Sequence, residues 1–234
     1  MKIAILISGH CRTFVFQEQY IFFEKFINHL RQFGECDVYL MLKIDDLMKT
    51  KQGLINLEKI TKMLNPVYSI SFKEWNQHDD NCYYSQMKMI RYLVNNIKKE
   101  YDYYIRIRPD IFIPNLKEIN INEMNENIIY TSRKFDSRGN DQFFIMSKQM
   151  LYNWFLKLPI VPMTISPEYY IFNIPLKQFI NSGLVRSYNR IQGWNFQHCY
   201  LRTEWLPEQT FVSISNETFI NKLKNIIQYQ EVCL

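Results

Sequence analysis

Apolar and polar positions along the first half of the chain alternate between two rhythms. Lys2 to Ser8 (KIAILIS) is a continuous apolar run stopped by Gly9. Its length and isoleucine content predict a strand buried on both faces. In QEQYIFFEKFINHLRQF, Tyr20, Phe23, Phe26, Ile27 and Leu30 recur at helical spacing, and Gly34 follows as a stop signal. DVYLML (Asp37 to Leu42) predicts a second strand. INLEKITKML predicts a short helix closed at Asn65-Pro66, because a residue before proline disfavours the helical region. VYSISF (Val67 to Phe72) predicts a third strand. YSQMKMIRYLVNNIKKE predicts a helix with Met87, Ile90, Leu93, Val94 and Ile97 on one side, and YDYYIRIRP a fourth strand.

Strand and helix thus alternate up to Asp110, which predicts an α/β fold with a mostly parallel central sheet flanked by helices. Beyond Asp110 the rhythm loosens. NIIYTS and DQFFIMS predict short strands, KQMLYNWFLKL a helix, PEYYIFNIPLKQFINSG another helix broken or restarted at Pro175, and LVRSYN a last strand. The tail NETFINKLKNIIQYQ predicts an amphipathic helix with Phe219, Leu223 and Ile226 in register. No repeat or low-complexity linker divides the chain. The expectation is one domain over residues 1–234, ending in a C-terminal helix.

Composition narrows the picture modestly. A chain of 234 residues buries roughly 70% of its extended surface on folding, so it needs no metal or disulfide staple. A hydrophobic share of 47% suits a packed core. The net charge of +5 suits an anionic ligand, but lysines and arginines are spread out, and nucleic-acid binding is not expected. The five cysteines include no C-x-x-C pair, which predicts neither a zinc site nor a disulfide framework and points to a reducing compartment. No apolar stretch approaches the length of a membrane span. The localisation expected is cytoplasmic.

Chemistry collects where strands are predicted to end, because ligands of open parallel sheets bind outside the carboxyl ends of the strands. The first such loop is SGHCRTF. Ser8 and Gly9 let the backbone approach a ligand closely, and Arg12 can grip a phosphate through its planar fork of donors. The plainer reading is a strand-to-helix turn with a solvated arginine. Neither G-x-x-x-x-G-K nor G-x-G-x-x-G occurs there, so conventional ATPase and dehydrogenase readings lose their main support. His10 and Cys11 are adjacent, which does not supply the mutual geometry of a nucleophile and its base.

The second loop is YYIRIRPD. Alternation puts Arg106 and Arg108 on one face, and two cations on a central strand are costly to bury unless an anion meets them. Pro109 ends the ladder and leaves Asp110 just past the strand. Two readings follow. The arginines and the acid form a seat for an anion and a divalent ion, or Arg and Asp form a structural pair at the strand end. Asp79 and Asp80 read best as caps of the helix that follows them. Trp194 and Tyr200 can stack on a sugar face, although aromatics at this frequency are mostly core.

Four stretches, in chain order, resemble segments of GT-A-like nucleotide-sugar glycosyltransferases of large DNA viruses and bacteria. They are KIAILISGHCRTF, YYSQMKMIRYLVNN with YDYYIRIRPDIFI, NDQFFIMSKQML, and SPEYYIFN. The resemblance covers roughly Lys2 to Ile180. It implies a Rossmann-like GT-A architecture, with residues 1–113 as a nucleotide-binding half and 114–234 as an acceptor half, and a nucleotide-diphosphate sugar bound across the sheet edge. The reaction implied is hexosyl or deoxyhexosyl transfer to a hydroxyl acceptor such as a glycan. The implied cofactor is Mn²⁺ or Mg²⁺, and the implied location is the host cytoplasm if the chain is viral. Where that family commonly carries D-x-D, this chain reads Arg108-Pro109-Asp110, with a single acid.

The resemblance places Ser8, Gly9, Arg12, Arg106, Arg108 and Asp110 at the donor. It makes Asp110 a metal ligand and His198 a further candidate. It puts Asp141 facing the sugar or acceptor and Glu168 at an acidic helix start. Each has a plainer role: Asp141 as a turn residue, Glu168 as an acid at a helix N-terminus, His198 as an ordinary hydrogen-bonder. An inverting transfer needs one carboxylate as general base on the acceptor hydroxyl, and Asp141 ranks ahead of Glu168. The alternatives are a sugar-nucleotide hydrolase or nucleotidyltransferase, and a non-catalytic nucleotide-sugar-binding module.

Overall fold

The structure, a computed structural model, describes residues 1–11, 14, 17–44, 51–72, 82–113, 115–133, 139–153, 155–157, 177–180, 185–189, 199–203 and 212–214. The elements run β1 (Lys2–His10), α1 (Gln17–Arg31), β2 (Glu35–Lys43), α2 (Lys51–Leu64), β3 (Tyr68–Phe72), α3 (Cys82–Asn95) and β4 (Tyr103–Ile107). After them come β5 (Ile111–Phe112), β6 (Ile129–Arg133), β7 (Gly139–Ser147), α4 (Lys148–Asn153), β8 (Lys177–Ile180), β9 (Val185–Asn189), β10 (Cys199–Thr203) and β11 (Val212–Ile214).

Seven strands form the central sheet in the order β3-β2-β1-β4-β7-β6-β8. β3, β2, β1 and β4 are mutually parallel. β7 runs against β4 and β6, and β8 runs parallel to β6. The expected mostly parallel α/β sheet is therefore present, with β7 as the one reversed strand among those described. β5 leaves this sheet and joins β9, β10 and β11 in a second, four-stranded one.

The run KIAILIS is apolar throughout because both sheet faces are covered. Ile3, Ile5 and Ile7 pack with Phe22, Phe23, Phe26 and Leu30 of α1 on one face. Ala4 and Leu6 pack with Met87, Ile90 and Leu93 of α3 on the other. The α1 face is aromatic: Phe22 stacks on Phe26 at 5.8 Å and meets Phe112 at 5.3 Å. Each such buried ring stabilises the fold by roughly 1.5–3 kcal/mol. α2 ends at Leu64 because Asn65 takes a left-handed turn (φ 43°) and Pro66 follows.

At the amino-terminal edge of the sheet a polar cluster closes the core. Asp37 Oδ2 accepts from Tyr101 (2.6 Å) and from Lys99 (2.9 Å), and the Tyr39 and Tyr101 hydroxyls lie 2.9 Å apart. Burial by itself would raise the Asp37 carboxyl, but these hydrogen bonds and the Lys99 charge outweigh it and hold the group below its ordinary value. Burial together with the Asp37 bond pushes the Tyr101 phenol up.

Three expectations change. β1 continues through Gly9 to His10 instead of stopping before the glycine. The helix expected over 148–158 ends at Asn153 and gives way to a 3-10 turn, Phe155–Lys157. Within the helix expected over 167–183, residues 177–180 are strand β8, because the edge of β6 offers a ladder that local propensity cannot foresee. The expected tail helix lies outside the described residues. Among the described residues, no helix is long and apolar enough to cross a membrane.

Candidate functional site

The chain enters the sheet at β1 and moves outward through β2 and β3. It then crosses to β4 on the other side of β1. The loops leaving β1 and β4 therefore part from neighbouring strand ends. In a doubly wound sheet such a switch point opens the crevice where ligands bind. The described parts of both chemistry-bearing loops, Ser8 to Cys11 and Arg108 to Asp110, lie there.

Gly9 has a φ of +146°, and a Cβ on it would stand 2.9 Å from Pro109 Cδ. A glycine is needed on both counts, since other residues rarely adopt that backbone and none has room. The β1 and β4 ends are thereby in van der Waals contact. Ser8 is fully buried, and among the described residues its Oγ has no hydrogen-bond partner.

Arg106 and Arg108 take separate tasks. Arg106 is completely buried on the α3 side. Its Nη1 donates to the Gln142 carbonyl (2.8 Å), and its Nη2 donates to the Ser8 carbonyl and to Gln86 Oε1 (both 3.2 Å). The guanidinium thus ties β1, β7 and α3 together through β4. β4 ends at Ile107, so Arg108 lies beyond the strand. Arg108 grips Asp110 with two parallel bonds, Nε to Oδ1 at 2.9 Å and Nη2 to Oδ2 at 2.7 Å. Both side chains are buried, 7% and 1% exposed. Such a fork fixes the carboxylate rigidly and balances its charge locally.

Because β7 runs antiparallel, its first residues lie at the same rim. Ile107 pairs with Phe143, and the Arg108 amide donates to the Gln142 carbonyl at 3.0 Å. The backbone of Asp141 is therefore one residue from a carbonyl that both arginines use; its side chain lies outside the described residues. Arg12, Glu168 and His198 lie outside them too, as do Asp79, Asp80 and Trp194. Cys11 is fully buried.

Among the described residues, no group of three His, Cys, Asp or Glu side chains could hold a metal ion. Arg108 bonds to both Asp110 oxygens, each of which can accept a further bond. Asp110 is placed there as half of the Arg–Asp pair.

Sequence reading missed two glutamines. Gln86 Oε1 accepts from Arg106, and buried Gln19 on α1 donates Nε2 to the Ile111 carbonyl at 2.9 Å, holding the backbone just after Asp110. A signal existed for both. Gln19 precedes Phe22 and Phe23 by a helical turn, and Gln86 precedes Ile90 and Leu93 at i+4 and i+7. Each is a polar residue on an apolar stripe.

No protein-family model matches the chain, and no curated protein matches it. Among solved structures it is similar to the galactosyltransferase LgtC in complex with donor and acceptor sugar analogs. The identity is 9% over 74% of this chain and 70% of that one, with a TM-score of 0.43. It is also similar to a glycosyltransferase involved in glycosylation of the major capsid of PBCV-1 (9% identity, 76% and 82% covered, TM-score 0.43). A third is HddC from Yersinia pseudotuberculosis (12% identity, 79% and 92% covered, TM-score 0.39).

Proposed function

We propose that this chain is a GT-A-type glycosyltransferase moving a hexosyl or deoxyhexosyl group from a nucleotide-diphosphate donor to a hydroxyl acceptor on a glycan. The observation that carries this reading is the meeting of Ser8-Gly9 with Arg108-Pro109-Asp110 at the β1/β4 switch point. These two stretches belong to the resembling segments, and a third such segment opens β7 alongside them.

Gly9 lets the donor lie against backbone, and Arg12, leaving the same strand, meets the diphosphate. Arg108 holds Asp110 in one orientation toward the donor's sugar side. Asp141 is the first candidate for the general base, and Glu168 the second. In the inverting course the acceptor oxygen bonds to the anomeric carbon, the carbon–phosphate-oxygen bond breaks, and the hydroxyl proton passes to the carboxylate. The electron pair of the broken bond leaves on the nucleoside diphosphate. A divalent ion, if bound, would neutralise that leaving group. Mn²⁺ or Mg²⁺, with His198 as a candidate ligand, remains an expectation drawn from the resemblance.

The test is transfer from a panel of nucleotide sugars to glycan acceptors, with the products resolved. Glycosylated acceptor plus nucleoside diphosphate is expected, and Asp141→Asn should lower turnover by 10²-fold or more with little change in donor affinity. Pyrophosphate release, or free sugar whatever the acceptor, would replace this reading with nucleotidyl transfer or hydrolysis.

A further inference from the structure

We propose that Gln86 contacts the ligand of this rim, with Arg106 as the positioning residue that orients its amide. The inference rests on the donor-site reading above. A guanidinium has donors only, so the Gln86 atom facing Arg106 at 3.2 Å must be the carbonyl oxygen. The amide nitrogen, with two hydrogens to donate, is thereby turned away from the arginine.

Arg106 cannot swing aside to release it, because the same guanidinium is held by the backbone carbonyls of Gln142 and Ser8. The bonds to Ser8 and Gln86 leave from one nitrogen, Nη2. The Gln86 carbonyl oxygen therefore stands beside the carboxyl end of β1, at the switch point. Gln86 is half-buried, and among the described residues its amide nitrogen has no acceptor.

The sequence position reinforces the point. Gln86 occupies the stripe that Ile90 and Leu93 continue into the core. A leucine would serve packing there, whereas an amide with a fixed orientation offers donors to an oxygen-rich ligand. The complementary chemistry is a phosphate oxygen or a sugar hydroxyl of the bound nucleotide.

Calorimetric titration of the whole chain with UDP, GDP and ADP and with their glucose conjugates tests this. Gln86→Glu keeps an oxygen for Arg106 but removes both donors. Gln86→Met keeps the length and removes donors and acceptor alike. Both variants should melt near the wild type, and both should bind the preferred probe at least tenfold more weakly. Loss with the diphosphates as well as the conjugates assigns the contact to phosphate, and loss with the conjugates alone assigns it to sugar. Wild-type affinity in either folded variant overturns the inference and leaves the donor site standing. Wild-type protein that binds none of the six probes overturns both.

Discussion

Arg108 and Asp110 are two residues apart, buried, and joined by two hydrogen bonds. Removing one partner from such a pair leaves a charge where water cannot reach it, at a cost of about 3–5 kcal/mol, whereas removing both together costs much less. Asp110→Ala and Arg108→Met should each lower the urea midpoint strongly, and the double variant should recover much of the loss. Additive losses would show that the two side chains do not act as a pair. Gly9 carries a different constraint. Gly9→Ala must hold a φ of +146° and push a methyl group against Pro109. It should destabilise by about 1–3 kcal/mol and spread the β1 and β4 ends. Stability equal to wild type would mean that this contact gives way easily. Residue type raises an Arg–Asp pair as one of two readings and goes no further. YYIRIRPD shows that two cations and an acid are close in sequence, but the pairing of Arg108 with Asp110, and of Arg106 with neutral oxygens, depends on where β4 ends.

Elements were legible where one local pattern dominated. The helix over 17–31 and strands β1 and β4 follow from apolar spacing alone, because burial on one stripe or on both faces dictates which positions can be polar. Legibility failed at 177–180, where pairing with β6 makes a strand of a stretch that reads as helix. At the amino-terminal ends of the central strands, Asp37 joins β2 to Tyr101, just before β4. Its carboxyl is held below the ordinary value, so the unfolded chain takes up the proton at higher pH than the folded one. Asp37 therefore contributes stability above the unfolded value, about pH 4, and that contribution is lost as pH falls through the lower, folded value. Asp37→Asn should melt below the wild type at pH 7, with the gap narrowing as the pH drops below about 4. A gap independent of pH would assign the effect to packing.

Across the whole molecule, stability should grade from the sheet centre outward. Every residue of β4 is buried, as are the seven interior residues of β1, while β3 alternates half-buried with exposed positions. Hydrogen exchange read on peptic fragments should be slowest in β1 and β4 and orders of magnitude faster in β3, since edge amides open by local fluctuation. Comparable rates would contradict a core centred on these strands. The amino-acid sequence by itself determined the α/β alternation, the buried strands and helix stripes, and the two loops in which chemistry gathers. These properties arise from the periodicity of burial and from backbone limits at glycine and proline, which act over a few residues. Only the tertiary structure decided that β4 lies beside β1, that reversed β7 brings residues 139–142 to the same rim, and that glutamines from two helices hold it in place. Strand order and charge pairing are settled by contacts between residues tens of positions apart, and no local pattern along a chain encodes which distant partner completes them.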